Sequence, residues 1–207
     1  MTVLYAVIPV DVAPPTRLDV LEGNKVAVIH SKRESATASR RDAVLAFGRI
    51  VLEIAGRGPT LPMRFGTTVA NLAECRRVIA EREDGWSSRL RAIAGCCELI
   101  VHLGHPGHTG RVPAWARLTP REERLRRAEA AAGRDELYDE LRASLLPWSR
   151  EVRLLTGKRS DRMALLVPRD ATVPTQIRLR RWAAERPDLS LTVTGPAPPF
   201  SFCEEPA

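Results

Sequence analysis

The chain has 207 residues, of which 44% are apolar and 28% charged, close to globular averages, so wholesale disorder, collagen-like repeats and coiled-coil composition are excluded. No apolar run approaches the ~18 residues a membrane span requires, and the opening MTVLYAVIPVDVAPP lacks the basic region and cleavage site of a secretory signal; a cytoplasmic protein without membrane contact is expected. The net charge of +7 rests almost wholly on arginine, since Lys25, Lys32 and Lys158 are the only lysines. Such a surface favours acidic partners, nucleic acid among them. The arginines are interleaved with acids, however, as in PREERLRRAEAAAGRDELYDEL, which reads as a salt-bridged helix face rather than a track for a polyanion.

Val3 to Val10 is a short apolar run closed by prolines and reads as a buried strand, followed by a second strand over Lys25 to His30. Ser39 with Asp42 marks a helix start, after which Val44, Phe47, Val51 and Ile54 recur at helical spacing. The short strand Leu61 to Phe65 turns at Gly66 into a helix capped near Thr68 or Asn71, with Glu74 in the capping-box position and Gly85 as a break before Ala94. Cys97 to Leu103 is a strand with Leu99, Val101 and Leu103 on one face and Glu98, Ile100 and His102 on the other. The composition then shifts to a Gly/Pro-rich linker over 104–118. Thr119, Pro120 and Glu122 begin a long helix with a stripe of Leu137, Leu141 and Leu145. Two strands follow, Glu151 to Leu155 and Met163 to Val167, then a helix over Pro174 to Glu185 and a last strand around Leu189, Leu191 and Val193. The orders ββαβαβ and αββαβ fit two α+β domains, 1–103 and 119–207, each with helices on one face of a mainly antiparallel sheet.

Catalytic constellations are sparse. No G-x-S-x-G, H-E-x-x-H or G-x-G-x-x-G stands in a fitting context. Thr156 to Ser160 has part of a phosphate loop's composition, but Val152 stands where its first glycine belongs and Arg159 where its hydroxyl belongs, so a hairpin turn is the simpler reading. His102, His105 and His108 lie three residues apart and could together ligate zinc, yet no carboxylate follows to complete or orient the site, and a solvated loop explains them as well. Cys75, Cys96, Cys97 and Cys203 have no C-x-x-C spacing and read as reduced thiols. No catalytic, cofactor-binding or metal-binding residue is assigned.

Two segments are unusual for loops. In Leu61, Pro62, Met63, Arg64, Phe65, Gly66 and Thr67, an arginine sits between two large apolar residues; it must reach solvent or pair with a buried acid such as Glu53 or Glu98, unless it serves a partner protein. In Gly195, Pro196, Ala197, Pro198, Pro199, Phe200, Ser201 and Phe202, three prolines remove three backbone donors, which forbids a central strand. The tail either packs on its own domain or lies over a groove, anchored by Phe200 and Phe202.

These two segments, L-P-M-R-F-G-T and G-P-A-P-P-F-S-F, together resemble the gas vesicle synthesis proteins GvpF and GvpL, whose motifs read close to L-P-L-R-F-G-T and G-P-W-P-P-Y-S-F. The stretches LRAIAGCCELIVHL (Leu90 to Leu103) and MALLVPRD (Met163 to Asp170) are similar to the family as well. Ala197 replaces the family's usual Trp, Phe200 its Tyr, and Phe47 a His common in the first helix. The resemblance implies two α+β domains, the N-terminal one ferredoxin-like and the C-terminal one a modified ferredoxin-like fold. It also implies a non-enzymatic, cytoplasmic, vesicle-associated accessory protein without cofactor. Its expected partners are the small hydrophobic shell protein and other gas vesicle accessory proteins, bound during nucleation of the shell through the two motifs, with no nucleic acid. A basic nucleic-acid-binding α+β protein, suggested by the charge alone, is the alternative from another class, and a histidine-based metal hydrolase a third.

Overall fold

β1 (Thr2–Pro9) is the apolar run anticipated at the start, and it becomes the hub of the first sheet in this computed structural model, which describes residues 1–32, 39–104, 121, 136–155, 162–187 and 189–204. One edge of β1 pairs antiparallel with β3 (Val26–Lys32), which in turn pairs with β2 (Asp19–Glu22), a strand the sequence pattern does not announce. The other edge carries two short strands, β4 (Leu61–Pro62) and β5 (Thr68–Val69), both antiparallel to β1. Ala6 and Ile8 of β1 and Ala27 and Ile29 of β3 pack with Ile54 of the first helix. Val7 and Val28, which point to the opposite face, are also wholly buried. The sheet is therefore covered on both faces, not on the single face its sequence suggested, which is why β1 lacks polar alternation.

The first helix, α1 (Arg40–Ala55), starts where its cap requires: the Ser39 hydroxyl accepts the Asp42 N–H at 3.2 Å. Phe47, Val51, Ile54 and Ala55 are buried, while Val44, expected on the same stripe, is exposed. For α2 (Leu72–Ile93), Asn71 is the cap and Thr68 belongs to β5: Asn71 Oδ1 accepts the Glu74 N–H at 2.9 Å, and Glu74 Oε2 accepts the Ala70 N–H at 2.8 Å. This helix runs unbroken through Gly85, contrary to the break expected there. An interior glycine costs only about 1 kcal/mol relative to alanine, and residues on both sides of it are buried, Cys75 and Ile79 before and Leu90 and Ile93 after. Glu83 joins α2 to the β2–β3 turn, accepting the N–H groups of Asn24 (2.6 Å) and Lys25 (2.8 Å). Those N–H groups lower its carboxyl pKa.

Gly95, at φ +71°, reverses the chain after α2, and the strand that follows, β6 (Cys96–Gly104), does not close the first sheet as expected. It enters a second sheet of order β7-β8-β6-β9, with β7 at Glu151–Leu155, β8 at Arg162–Pro168 and β9 at Ser190–Ala197. Helix α3 over 136–145 lies between β6 and β7, and α4 (Thr172–Ala184) between β8 and β9, so this part reads β-α-β-β-α-β. β7 and β8 are antiparallel, and Met163 to Val167 of β8 are wholly buried. Tyr138, Leu141 and Leu145 supply the buried face of α3, and Leu137 is only half buried. β9 is an edge strand with Leu191 and Val193 half buried and Ser190, Thr192 and Thr194 exposed; an edge is where Pro196 is tolerated.

The chain divides into two compact units, Met1–Glu98 with Pro196–Ala207, and Leu99–Gly195. This grouping differs from a division at 103 in two ways. The boundary falls inside β6, and the tail assigned to the C-terminal domain belongs to the first unit. Alternation within a strand reveals that it is a strand but not which neighbour it takes. Gly104 closes β6 and does not open the linker. The rest of the 104–118 linker, the helix start at Thr119, His105, His108 and the Thr156 to Ser160 turn lie outside the described residues. Cys75, Cys96 and Cys97 are buried, Cys203 is half buried, and none of the four is in a disulfide. Among the described residues no helix is long and apolar enough to cross a membrane.

Candidate partner-binding surface

The first motif is a corner built on one strand edge. Leu61 and Pro62 pair with Val7 and Ala6 of β1, and the Met63 N–H donates to Tyr5 O at 2.8 Å. Pro62 has no N–H to give, which suits a two-residue edge strand. The chain then turns. Arg64 O accepts both the Thr67 N–H (3.0 Å) and the Thr67 hydroxyl (2.8 Å), Gly66 adopts φ +88°, and β5 rejoins the same edge of β1. Glycine is needed at Gly66 because L side chains are strained at that φ. Leu61 and Pro62 are buried, Met63 and Thr67 half buried, and Arg64, Phe65 and Gly66 exposed. Phe65 stands edge-on to Phe47 of α1, with centroids 5.5 Å apart, and Phe47 in turn packs against Tyr5 at 5.3 Å.

The second motif meets this corner. After β9 the buried Pro198 and Pro199 lead into a 3-10 turn, Phe200–Phe202. Phe202 is fully buried, with the guanidinium of Arg89 5.9 Å from its ring centroid and Arg89 Nε donating to its carbonyl. Glu98 accepts the Ser201 N–H on Oε2 and the Ser201 hydroxyl on Oε1, each at 2.8 Å. Cys203 Sγ approaches Pro62 O at 3.2 Å, tying the tail to the first motif itself. Of the two aromatic anchors expected in the tail, Phe202 serves and Phe200 does not: it is 46% exposed. The tight 3-10 turn is the reason, since it sends the two rings to different sides. Gly195 and Pro196 are exposed at the end of β9.

Arg64 pairs with neither Glu53 nor Glu98. Glu53 binds Arg17 and lies 3.9 Å from Arg57, whereas Glu98 is turned toward the tail. Arg64 instead stands 3.8 Å from Glu204, with side chains 91% and 80% exposed. Such a pair contributes ~0–1 kcal/mol. The strand stops at Pro62, so Arg64 falls in a solvated turn and meets no burial penalty. The buried charges that do bear on this region are Arg89 (7% exposed) and Glu98 (4%), and of these only Glu98 lies in a family-like stretch, Leu90 to Leu103. A carboxylate inside CCELIVHL was a usable signal, because a buried charge demands partners.

α1, which meets the corner through Phe47, turns an apolar stripe outward. Val44, Leu45 and Leu52 are 42%, 50% and 56% exposed, and Phe65 43%. Leu45, Gly48 and Leu52 succeed one another at helical spacing on one face, and the neighbouring Arg41 and Arg49 are exposed. This arrangement can bury apolar surface of a partner; it brings no nucleophile, acid and base together. No group of three or more His, Cys, Asp or Glu side chains is placed to hold a metal among the described residues, and His102 lies half buried on β6.

Comparison with known proteins identifies a family and a fold. The family profile described as gas vesicle synthesis protein GvpL/GvpF matches residues 2–204. The crystal structure of the gas vesicle protein GvpF from Anabaena sp. PCC7120 is similar at a TM-score of 0.75 and 16% identity, covering 100% of this chain and 97% of that one. The crystal structure of gas vesicle protein GvpF from Microcystis aeruginosa is similar at 0.73 and 14% identity, covering 99% of both chains. A search among curated proteins gave no match.

Proposed function

Because the chain belongs to the GvpL/GvpF family of gas vesicle synthesis proteins, we propose that it is a non-catalytic accessory protein of gas vesicle assembly. In this reading it binds the small hydrophobic shell protein and other accessory proteins while the shell nucleates, in the cytoplasm beside the growing vesicle. The observation that carries the reading is the meeting of the two motifs: the tail holds the Leu61 to Thr67 corner through Cys203 and Pro62, and Phe65 of that corner stays exposed, as does the apolar stripe of α1. A protein that receives a hydrophobic subunit must keep apolar surface uncovered. The edge strand β2 adds a row of backbone groups open to β-augmentation by a strand of the subunit. The ferredoxin-like description implied by the family fits the β-α-β-β-α-β order of the second unit best.

The test is capture of the purified shell protein by the full chain, with Leu52→Glu, Phe65→Ala and Arg64→Ala variants, alongside deletion of the gene in its host. Weakened capture by Leu52→Glu and Phe65→Ala, with loss of vesicles on deletion, is expected. Unchanged capture by both variants together with normal vesicles in the deletion strain would overturn the reading.

A further inference from the structure

The second unit holds a cleft of about 500 Å³ between α4 and the end of α3 with its 3-10 turn Leu146–Trp148. Its volume falls in the range of sites that accept a ligand or a large side chain. Leu145, Trp148, Pro174 and Ile177 form an apolar wall. Trp148 and Ile177 remain 39% and 46% exposed, and Leu146 and Val173 beside them 51% and 62%. The rim is basic. Arg178 and Arg181 sit three residues apart on α4, facing the same side. Neither has a carboxylate partner among the described residues, and the rim's acid, Glu185, lies 3.5 Å from Arg186. Arg178 is stacked over Trp148, 5.0 Å from the ring centroid, an arrangement that fixes the guanidinium plane while its N–H edges stay open to an acceptor.

We propose that this cleft docks an acidic amphipathic segment of a partner protein. A side chain of leucine or phenylalanine size enters the wall, and carboxylates one helical turn apart meet Arg178 and Arg181. Charge complementarity selects the occupant: an apolar pocket with two unspent guanidinium groups rejects a basic segment and leaves a neutral one with unmatched charge. Single-stranded nucleic acid also combines aromatic rings with arginine, but it stacks on open ring faces. Here guanidinium groups cover a face of each indole, Arg178 over Trp148 and Arg186 over Trp182 at 4.2 Å. The inference does not depend on the assembly role proposed above, because it concerns a different unit and a partner defined only by its chemistry.

The test uses the full chain and a fluorescently labelled amphipathic peptide of about four helical turns, with leucines at i, i+3, i+4 and i+7 flanked by glutamates, at physiological salt. Comparison probes replace its leucines by serine or its glutamates by lysine, and a single-stranded oligo-dT of similar length is the last arm. Saturable binding of the acidic peptide is expected, at least about tenfold weaker in Ile177→Asp and in the double variant Arg178→Glu, Arg181→Glu. The lysine peptide should bind the double variant better than the native protein, an exchange that misfolding does not produce. The substituted positions are half buried or exposed on α4, so melting curves should stay unchanged. No saturable binding of the acidic peptide, binding indifferent to these substitutions, or preference for the lysine peptide or oligo-dT overturns the proposal.

Discussion

Glu98 and Ser201, 103 positions apart in the chain, are joined by two hydrogen bonds of 2.8 Å, one to the backbone N–H and one to the hydroxyl. Removing the hydroxyl and removing the carboxylate are therefore unequal changes. Ser201→Ala deletes one bond and should cost about 1 kcal/mol, whereas Glu98→Ala orphans a backbone donor as well and should cost ~2–3 kcal/mol. Chemical denaturation of both variants checks the difference. Limited proteolysis should cut the tail faster in Glu98→Ala; equal effects of the two changes would mean the backbone bond is unimportant.

The tail phenylalanines should separate as sharply. Phe202 is fully buried, and Phe202→Ala should destabilise the protein by ~3–5 kcal/mol, enough to unfold a marginal domain. Phe200 is 46% exposed, and Phe200→Ala should stay within about 0.5 kcal/mol of the native protein. Arg64→Ala should be similarly mild, because an exposed pair with Glu204 carries little stability. A large loss of melting temperature in Arg64→Ala would show that its role is structural after all.

Gly85 offers a stabilising change. It is an exposed interior residue of α2, and a methyl group added there meets nothing within 4 Å. Gly85→Ala should raise stability by ~0.5–1 kcal/mol, through helix propensity and a less flexible unfolded chain. A rise in denaturation midpoint at constant slope would confirm it. A fall would mean that α2 needs to bend at Gly85.

His30 makes stability depend on pH. Its ring is buried on β3 with Nδ1 lacking a hydrogen-bond partner, and burial holds its pKa below the ordinary 6.5, against the weaker opposing pull of Asp19. The unfolded chain therefore takes up a proton near pH 6.5 that the folded protein refuses until lower pH. Stability is complete above that value and declines as pH falls through the window between the two pKa values. Urea unfolding from pH 7.5 down to pH 5, with His30→Phe as comparison, should show a shallower decline in the variant. Identical slopes would mean that other groups govern the acid limb.

Much of the local architecture was legible in the residues. Ser39 and Asn71 cap their helices through their own side chains, and capping is a contact over three positions that any sequence reading can reach. The apolar run of β1 and the alternation of β9 came through for the same reason. β2 did not, because a four-residue strand with the burial pattern of an exposed edge carries too little periodicity. For Arg64 the residues leave solvent and a buried acid both open; the structure takes solvent because the strand ends at Pro62. The two motifs were recognisable as unusual, but that Arg89, Glu98 and Cys203 join them was not, since each acts on a partner more than a hundred positions away or on a bare carbonyl.

The sequence by itself determined the composition class, most helices and strands, and membership of the GvpL/GvpF family, whose profile matches residues 2–204. Only the tertiary structure decided that β6 leaves the first sheet for the second, that the tail returns to the first unit, and that Arg64 is solvated while Glu98 is buried. The division has one physical cause. Periodicity and capping are written in neighbouring residues, whereas strand partners and the burial of a charge are set by chain segments that meet only after the backbone has closed long loops.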